Sequence, residues 1–189
     1  MKKRLAIFAS GNGSNAEKLM HYFAENPYAE VVLVVSNKSD AGVLKHAENH
    51  TVETCVFENA DFVSGEEVLA NLQQRDIDYI VLAGFLRKIP DTLIAAYARR
   101  IINIHPALLP KFGGKGMYGM HVHTAVKEAG ETKTGITIHL VDEEFDNGEH
   151  LAQYTCPVNA EDTPATIATK VQSLEHQYFG PTIEKYITC

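Results

Sequence analysis

The chain has 189 residues and a net charge of −7, with 45% hydrophobic and 22% charged residues, the makeup of a folded domain rather than a disordered or fibrous chain. The acidic balance argues against nucleic acid as a partner, since phosphates are bound through lysine and arginine. No apolar run reaches the ~18 residues of a membrane span.

Elements follow in chain order. Behind the basic Met1-Lys2-Lys3-Arg4, the run Leu5-Ala6-Ile7-Phe8-Ala9 is a short strand, too short for the apolar core of a secretion signal. A glycine turn, Gly11-Asn12-Gly13-Ser14-Asn15, precedes a helix over about Ala16 to Phe23. The β-branched run Val31 to Val35 predicts a strand covered on both faces. A helix from about Ala41 to Asn49, a strand near Thr54 to Phe57, a helix from about Ser64 to Arg75 and a strand over Tyr79 to Ala83 come next. This β-α alternation predicts a parallel sheet with helices on both sides and a ligand beyond the strands' carboxyl ends. Ile101, Ile102 and Ile104 mark the end of another buried strand. Thr134 to Val141 places Ile136, Ile138 and Leu140 on one face, and Leu151 to Val158 is a further strand. The short polar link Asp142 to Gly148 permits these two to pair antiparallel. A last helix starts near Pro164, a good first-turn residue, and carries Ile167, Val171, Leu174 and Tyr178 at helical spacing. No linker, repeat or low-complexity tract divides the chain, so one domain is expected over 1–189, burying roughly 70% of its unfolded surface. Cys55, Cys156 and Cys189 are scattered and odd in number, which suits free thiols in a reducing cytoplasm.

Two segments carry chemistry. The glycine turn between strand and helix has the form of a phosphate cradle, in which backbone N–H groups point at an anion. It also fits the relaxed dinucleotide pattern G-x-G-x-x-A, so a nicotinamide cofactor is one reading. That reading wants an acid at the end of the second strand, where Val35 is followed by Ser36-Asn37 and Asp40 lies further along. The second segment is Asn103-Ile104-His105. Residues two apart in a strand share a side, so an amide donor and a proton-carrying imidazole emerge together. Attack on a carbonyl needs such a pair, one group for the developing oxyanion and one that moves protons. Pro106 and Pro110 stiffen the segment behind them. His121-Val122-His123 offers two metal ligands without an evident third, so no metal is expected. His139 reads as a supporting residue.

The full run Asn103-Ile104-His105-Pro106-Ala107-Leu108-Leu109-Pro110, with Asp146 about forty residues on, resembles the signature of the folate-dependent formyltransferases. Four more segments match in order: Ser10-Gly11-Asn12-Gly13-Ser14-Asn15, Ala83-Gly84-Phe85-Leu86-Arg87, Asp142-Glu143-Glu144-Phe145-Asp146-Asn147-Gly148, and Val171-Gln172-Ser173-Leu174-Glu175-His176. The resemblance runs from about residue 4 to about residue 180. The N-terminal segment narrows it to members that formylate glycinamide ribonucleotide in purine (IMP) synthesis. Relatives acting on initiator tRNA normally carry a further RNA-binding domain, and formyltetrahydrofolate hydrolases usually an extra regulatory one.

The resemblance implies a three-layer α/β fold: a mostly parallel twisted sheet of about seven strands, helices on both faces, a Rossmann-like N-terminal half, and one antiparallel strand toward the C-terminal half. It divides the domain into a nucleotide-binding half, about 1–100, and a catalytic and folate-binding half, about 101–189. It implies a cytoplasmic enzyme, monomer or homodimer, with 10-formyltetrahydrofolate as cosubstrate and direct transfer through a tetrahedral intermediate. Asn103, His105 and Asp146 are then catalytic, with Asp146 raising the pKa of His105. Gly13, Ser14, Asn15, Gln172 and Glu175 hold the ribonucleotide. Leu86, Arg87, Lys88 and Ile89 form one folate wall, and Asn103 with Asp142, Glu143, Glu144, Phe145 and Asp146 another.

Three segments depart from the family pattern. Lys111 to Met120 is longer than the usual Lys-Tyr-Pro-Gly stretch and holds four glycines. It reads either as a lid bringing Lys111 or Lys115 to the ribonucleotide phosphate or as an inserted surface loop. Gly65 falls where some members carry a folate-contacting arginine, and Asn147-Gly148-Glu149 replaces Gly-Gly-Pro.

Overall fold

The computed structural model describes Met1–Cys189 throughout. Its parallel half comprises β1 (Lys3–Phe8), α1 (Ser14–Phe23), β2 (Ala29–Ser36), α2 (Gly42–Asn49), β3 (Glu53–Val56), α3 (Asp61–Ser64), α4 (Glu66–Gln74), β4 (Tyr79–Leu82), α5 (Asp91–Ala96) and β5 (Ile101–His105). Then come α6 (Met120–Glu128), β6 (Lys133–Leu140), β7 (His150–Pro157) and α7 (Pro164–Thr188). The seven strands form one sheet in the order β3-β2-β1-β4-β5-β6-β7. β1 to β5 run parallel, β6 is antiparallel to β5, and β7 is antiparallel to β6. The strand order reverses between β1 and β4, the crevice where such sheets bind ligands.

Alternation along β1 creates the layers. Leu5, Ile7 and Ala9 join a core with Leu19 and Phe23 of α1, Val43 of α2, Val126 of α6 and Ile167, Val171 and Phe179 of α7. Ala6 and Phe8 face the other way, onto Phe62 of α3, Val68 and Leu72 of α4 and Leu93 of α5. α7 starts where Pro164 predicts, under a capping box in which Thr163 and Thr166 satisfy each other's backbone N–H. It runs for 25 residues.

The helix expected over about 64–75 is α4, and Gly65 at its start separates it from the short α3. Gly65 has φ +76, and a Cβ there would lie 2.7 Å from Thr92 Oγ1 and 2.8 Å from Pro90 Cβ. The kink separates α3 from α4, and no arginine fits at this place without displacing α5's entry. α5 and α6 lack a sequence prediction. Both are short and follow proline- or glycine-rich turns.

Candidate active site

The carboxyl ends of β1, β2 and β4 are joined by one hydroxyl. Ser10 Oγ donates to Asn37 Oδ1 at 2.6 Å and accepts the Leu86 N–H at 2.9 Å. Ser10 thereby fixes the start of the Leu86–Ile89 wall, a role with no obvious sequence signature.

β5 delivers Asn103 and His105, and the β5–β6 register sets Asn103 opposite His139. His139 Nδ1 donates to the Leu140 carbonyl at 2.8 Å, which leaves Nε2 as an acceptor for Asn103 Nδ2 at 3.0 Å. The Asn103 amide is thus oriented, with its second hydrogen free of protein partners. Asp146 lies in the β6–β7 connection with φ +55, in the left-handed region that aspartate tolerates better than most residues. The turn before it is organised by Asp142, whose two oxygens accept Glu144 N–H at 3.0 Å and Asn147 Nδ2 at 3.2 Å. This loop places Asp146 Oδ2 3.5 Å from His105 Nδ1 and Oδ1 3.6 Å from His139 Nε2. Oδ2 also accepts the Gly114 N–H at 2.9 Å, and His105 Nε2 donates to the Phe112 carbonyl at 2.8 Å. The loop after β5 therefore binds both members of the His105–Asp146 pair.

Asp146 raises His105 as expected, but burial outweighs it. Burial pushes the His105 imidazole down, Asp146 and the Phe112 carbonyl pull it up, and His139 pushes it down again. The balance lies below the ordinary histidine value, not above it, because His105 is only 4% exposed and loses more hydration than one carboxylate restores. Burial pushes the Asp146 carboxyl up, but His139, His105 and the Gly114 N–H together pull it further down, so it stays ionised.

The residues expected at the ribonucleotide come together from opposite ends of the chain. Gly13, with φ +83, starts α1 against α2, where a Cβ would lie 2.5 Å from Val43 Cβ. Asn15 Nδ2 donates to Glu175 Oε2 at 2.9 Å, and Gln172 Nε2 donates to Ser14 Oγ at 3.2 Å. Asn15 Oδ1 is buried without a partner. Burial raises the Glu175 carboxyl against the opposing pull of Asn15.

A cavity of about 770 Å³ joins these groups, within the size range of ligand sites. Asn15, Gln172 and Glu175 line it with Asn103, His105 and Asp146, as do Leu86–Ile89 and Asp142–Phe145. Gly13 and Ser14 are not on its wall; Ser14 reaches it through Gln172. Leu86 and Phe145 are half exposed while Ile89 is buried, giving the apolar surface a flat heterocycle needs beside the charges of Arg87 and Lys88.

The long loop divides its two lysines. Lys111 is held by Glu131 at 2.6 Å, whereas Lys115 lines the cavity. The two neighbouring histidines part as well: His121 is exposed and packs edge-on against Tyr118, while His123 is buried on the cavity wall. No cluster of three histidine, cysteine or acidic side chains has metal-binding geometry. No helix is long and apolar enough to cross a membrane.

Residues 3–183 match the family model described as formyl transferase. The chain is 43% identical over 184 residues to phosphoribosylglycinamide formyltransferase, chloroplastic, of Arabidopsis thaliana, covering 94% of this chain but 63% of that protein. It is 36% identical to phosphoribosylglycinamide formyltransferase of Bacillus subtilis, over 98% of this chain and 95% of that one. It therefore spans about three fifths of the plant relative and nearly all of the bacterial one. The crystal structure of phosphoribosylglycinamide formyltransferase from Brucella melitensis superposes with a TM-score of 0.89 at 40% identity, covering 100% of this chain and 97% of that one.

Proposed function

Since the chain belongs to the formyl transferase family, we propose that it moves the formyl group of 10-formyltetrahydrofolate onto the amine of glycinamide ribonucleotide, in the cytoplasm, as a step of purine synthesis. One observation carries this reading. The Asn103, His105 and Asp146 set opens into the same cavity as the Asn15–Glu175 pair, so a nucleotide's amine and an acyl carbon have one place to meet. Effective concentration then does much of the work.

The bound folate supplies the activated formyl group. Leu86, Ile89 and Phe145 cover its ring system, and the backbone of the two walls supplies directional hydrogen bonds. Asn103, held by His139, presents its free amide hydrogen to the formyl oxygen as negative charge develops there. His105 assists by proton donation, and ionised Asp146 steadies the imidazolium this requires. Asn15 meets the nucleotide on the cavity wall, and Gly13 and Ser14, off that wall, add the helix N–H groups of α1, which favour a phosphate. Gln172 and Glu175 contact the nucleotide from α7. Both substrates thus draw on both halves of the single domain. All three cysteines are unpaired, which suits a reducing compartment.

The test is a coupled assay following loss of 10-formyltetrahydrofolate. Consumption should require glycinamide ribonucleotide and yield tetrahydrofolate in equal amount. Equal turnover with water alone would replace this reading with hydrolysis.

A further inference from the structure

Formyl transfer needs a proton acceptor as well as donors. The attacking amine forms a bond to the formyl carbon, and the bond from that carbon to folate N10 breaks. One proton must leave the amine nitrogen and one must reach N10, with no other change in composition. The acceptor must face the cavity with an uncommitted lone pair.

Most of the groups around Asn103 are already engaged. His105 Nε2 donates to Phe112 and its Nδ1 faces Asp146. His139 Nε2 accepts from Asn103, and its Nδ1 donates to Leu140. Asp146 Oδ2 accepts the Gly114 N–H, and His139, His105 and that N–H hold the carboxyl below its ordinary value against burial.

His123 differs. It lies in the first half of α6, is 6% exposed, and lines the cavity. Its Nδ1 is buried with no hydrogen-bond partner, and its Nε2 makes no hydrogen bond to protein either. A buried imidazole with neither nitrogen satisfied by protein is an exception that calls for a ligand. We propose that His123 is a catalytic residue: in the reaction proposed above, on which this inference rests, it takes the proton from the ribonucleotide amine, directly or through one water, and returns it toward N10.

The titratable groups lining the same cavity are His105 and His139 from the sheet, Arg87 and Lys88 after β4, Lys115 and Tyr118 before α6, Asp142, Glu143, Glu144 and Asp146 from the β6–β7 loop, and Glu175 from α7. Burial, and then the nearby His105, hold His123 below the ordinary histidine value. It therefore stands neutral, as an acceptor must, near neutral pH.

His123→Gln and exposed His121→Gln are compared with the unaltered protein. The His123 ring resonances are also followed by NMR as glycinamide ribonucleotide alone is added. For His123→Gln, kcat should fall ~100-fold, the lower range for one proton-transfer group, and the acid limb of its pH profile should vanish. KM and melting temperature should change little, and His121→Gln should be unaffected. Ribonucleotide should shift the His123 resonances, and imidazole should partly restore His123→Ala. Unaltered kcat and pH profile in His123→Gln, with the unaltered protein still dependent on ribonucleotide, would overturn the role of His123 and leave the formyl transfer standing. A variant that loses stability while keeping the acid limb would make His123 structural. Absence of ribonucleotide-dependent turnover in the unaltered protein would instead remove the reading beneath it.

Discussion

Asp146→Asn keeps the shape of the side chain and removes its charge. The carboxylate sits 3.5 Å from His105 Nδ1, between side chains 13% and 4% exposed, so water screens the pair weakly. Two unit charges at that distance interact by ~5 kcal/mol at an effective dielectric of ~20. An opposite charge this close favours the protonated imidazole. Asp146 is the larger of the two influences that raise His105 against its burial. Its loss should therefore drive His105 further down in a titration of the ring resonances. The protonated form that stabilises the oxyanion becomes scarcer, and kcat should fall at least ~100-fold with little change in melting temperature. If kcat collapses while the His105 titration stays in place, Asp146 acts by some route other than the imidazole, and the coupling argued from the geometry is wrong.

Glu175→Gln, which leaves the amide of Asn15 facing a neutral partner, should raise KM for the ribonucleotide several-fold while kcat holds; an unchanged KM would detach α7 from the nucleotide. Lys115→Ala should likewise raise KM for the ribonucleotide more than it lowers kcat, whereas Lys111→Ala, whose lysine pairs with Glu131, should do neither; equal effects from both would count against Lys115 as the cavity's cation. Gly65→Ala should lower stability by ~1–2 kcal/mol from its left-handed backbone alone, and more from the contact with Pro90 and Thr92, read as a drop in denaturant midpoint; a stabilised variant would refute the packing described. Burial holds His105, His123 and His176 below 6.5, so on acidification the unfolded chain takes up these protons first. Stability should be full above about pH 6.5 and decline as pH falls toward 5, well before the contribution of Asp146 is lost below its ordinary value of 3.8. A melting temperature flat or rising over pH 7 to 5 would contradict that sign.

The sheet and its two outer layers are legible because β-branched runs such as Val31–Val35 and the alternation of Leu5, Ile7 with Ala6, Phe8 leave few other ways to bury those side chains. The meeting of Asn103 and His105 follows from their spacing alone, and Asp146 from the resemblance. What stays hidden depends on distance through space. His139 reads as a supporting residue without a named partner until the β5–β6 register sets it against Asn103. His123 looks like half of a failed metal pair until α6 turns it inward and His121 outward. The direction of the His105 shift is out of reach as well, since a sequence names the nearby carboxylate but not the extent of burial that outweighs it. α6 escapes because residues 111–119 contain four glycines and carry no periodic apolar pattern up to its first turn.

The hydrogen bonds from Asn15 to Glu175 and from Gln172 to Ser14 span 160 and 158 residues. On a ribosome the glycine turn emerges well before these partners and waits for them. At ~5–20 residues per second that interval is on the order of ten seconds or more. Closing so long a separation is entropically late, because such contacts reward the chain only after the intervening sheet has formed. If the proposed site is right, a nascent chain cannot complete it until α7 is out and docked. Glycinamide ribonucleotide present during refolding should bind only finished molecules. It would then pull the final equilibrium toward them by mass action without hastening the collapse of β1 through β5.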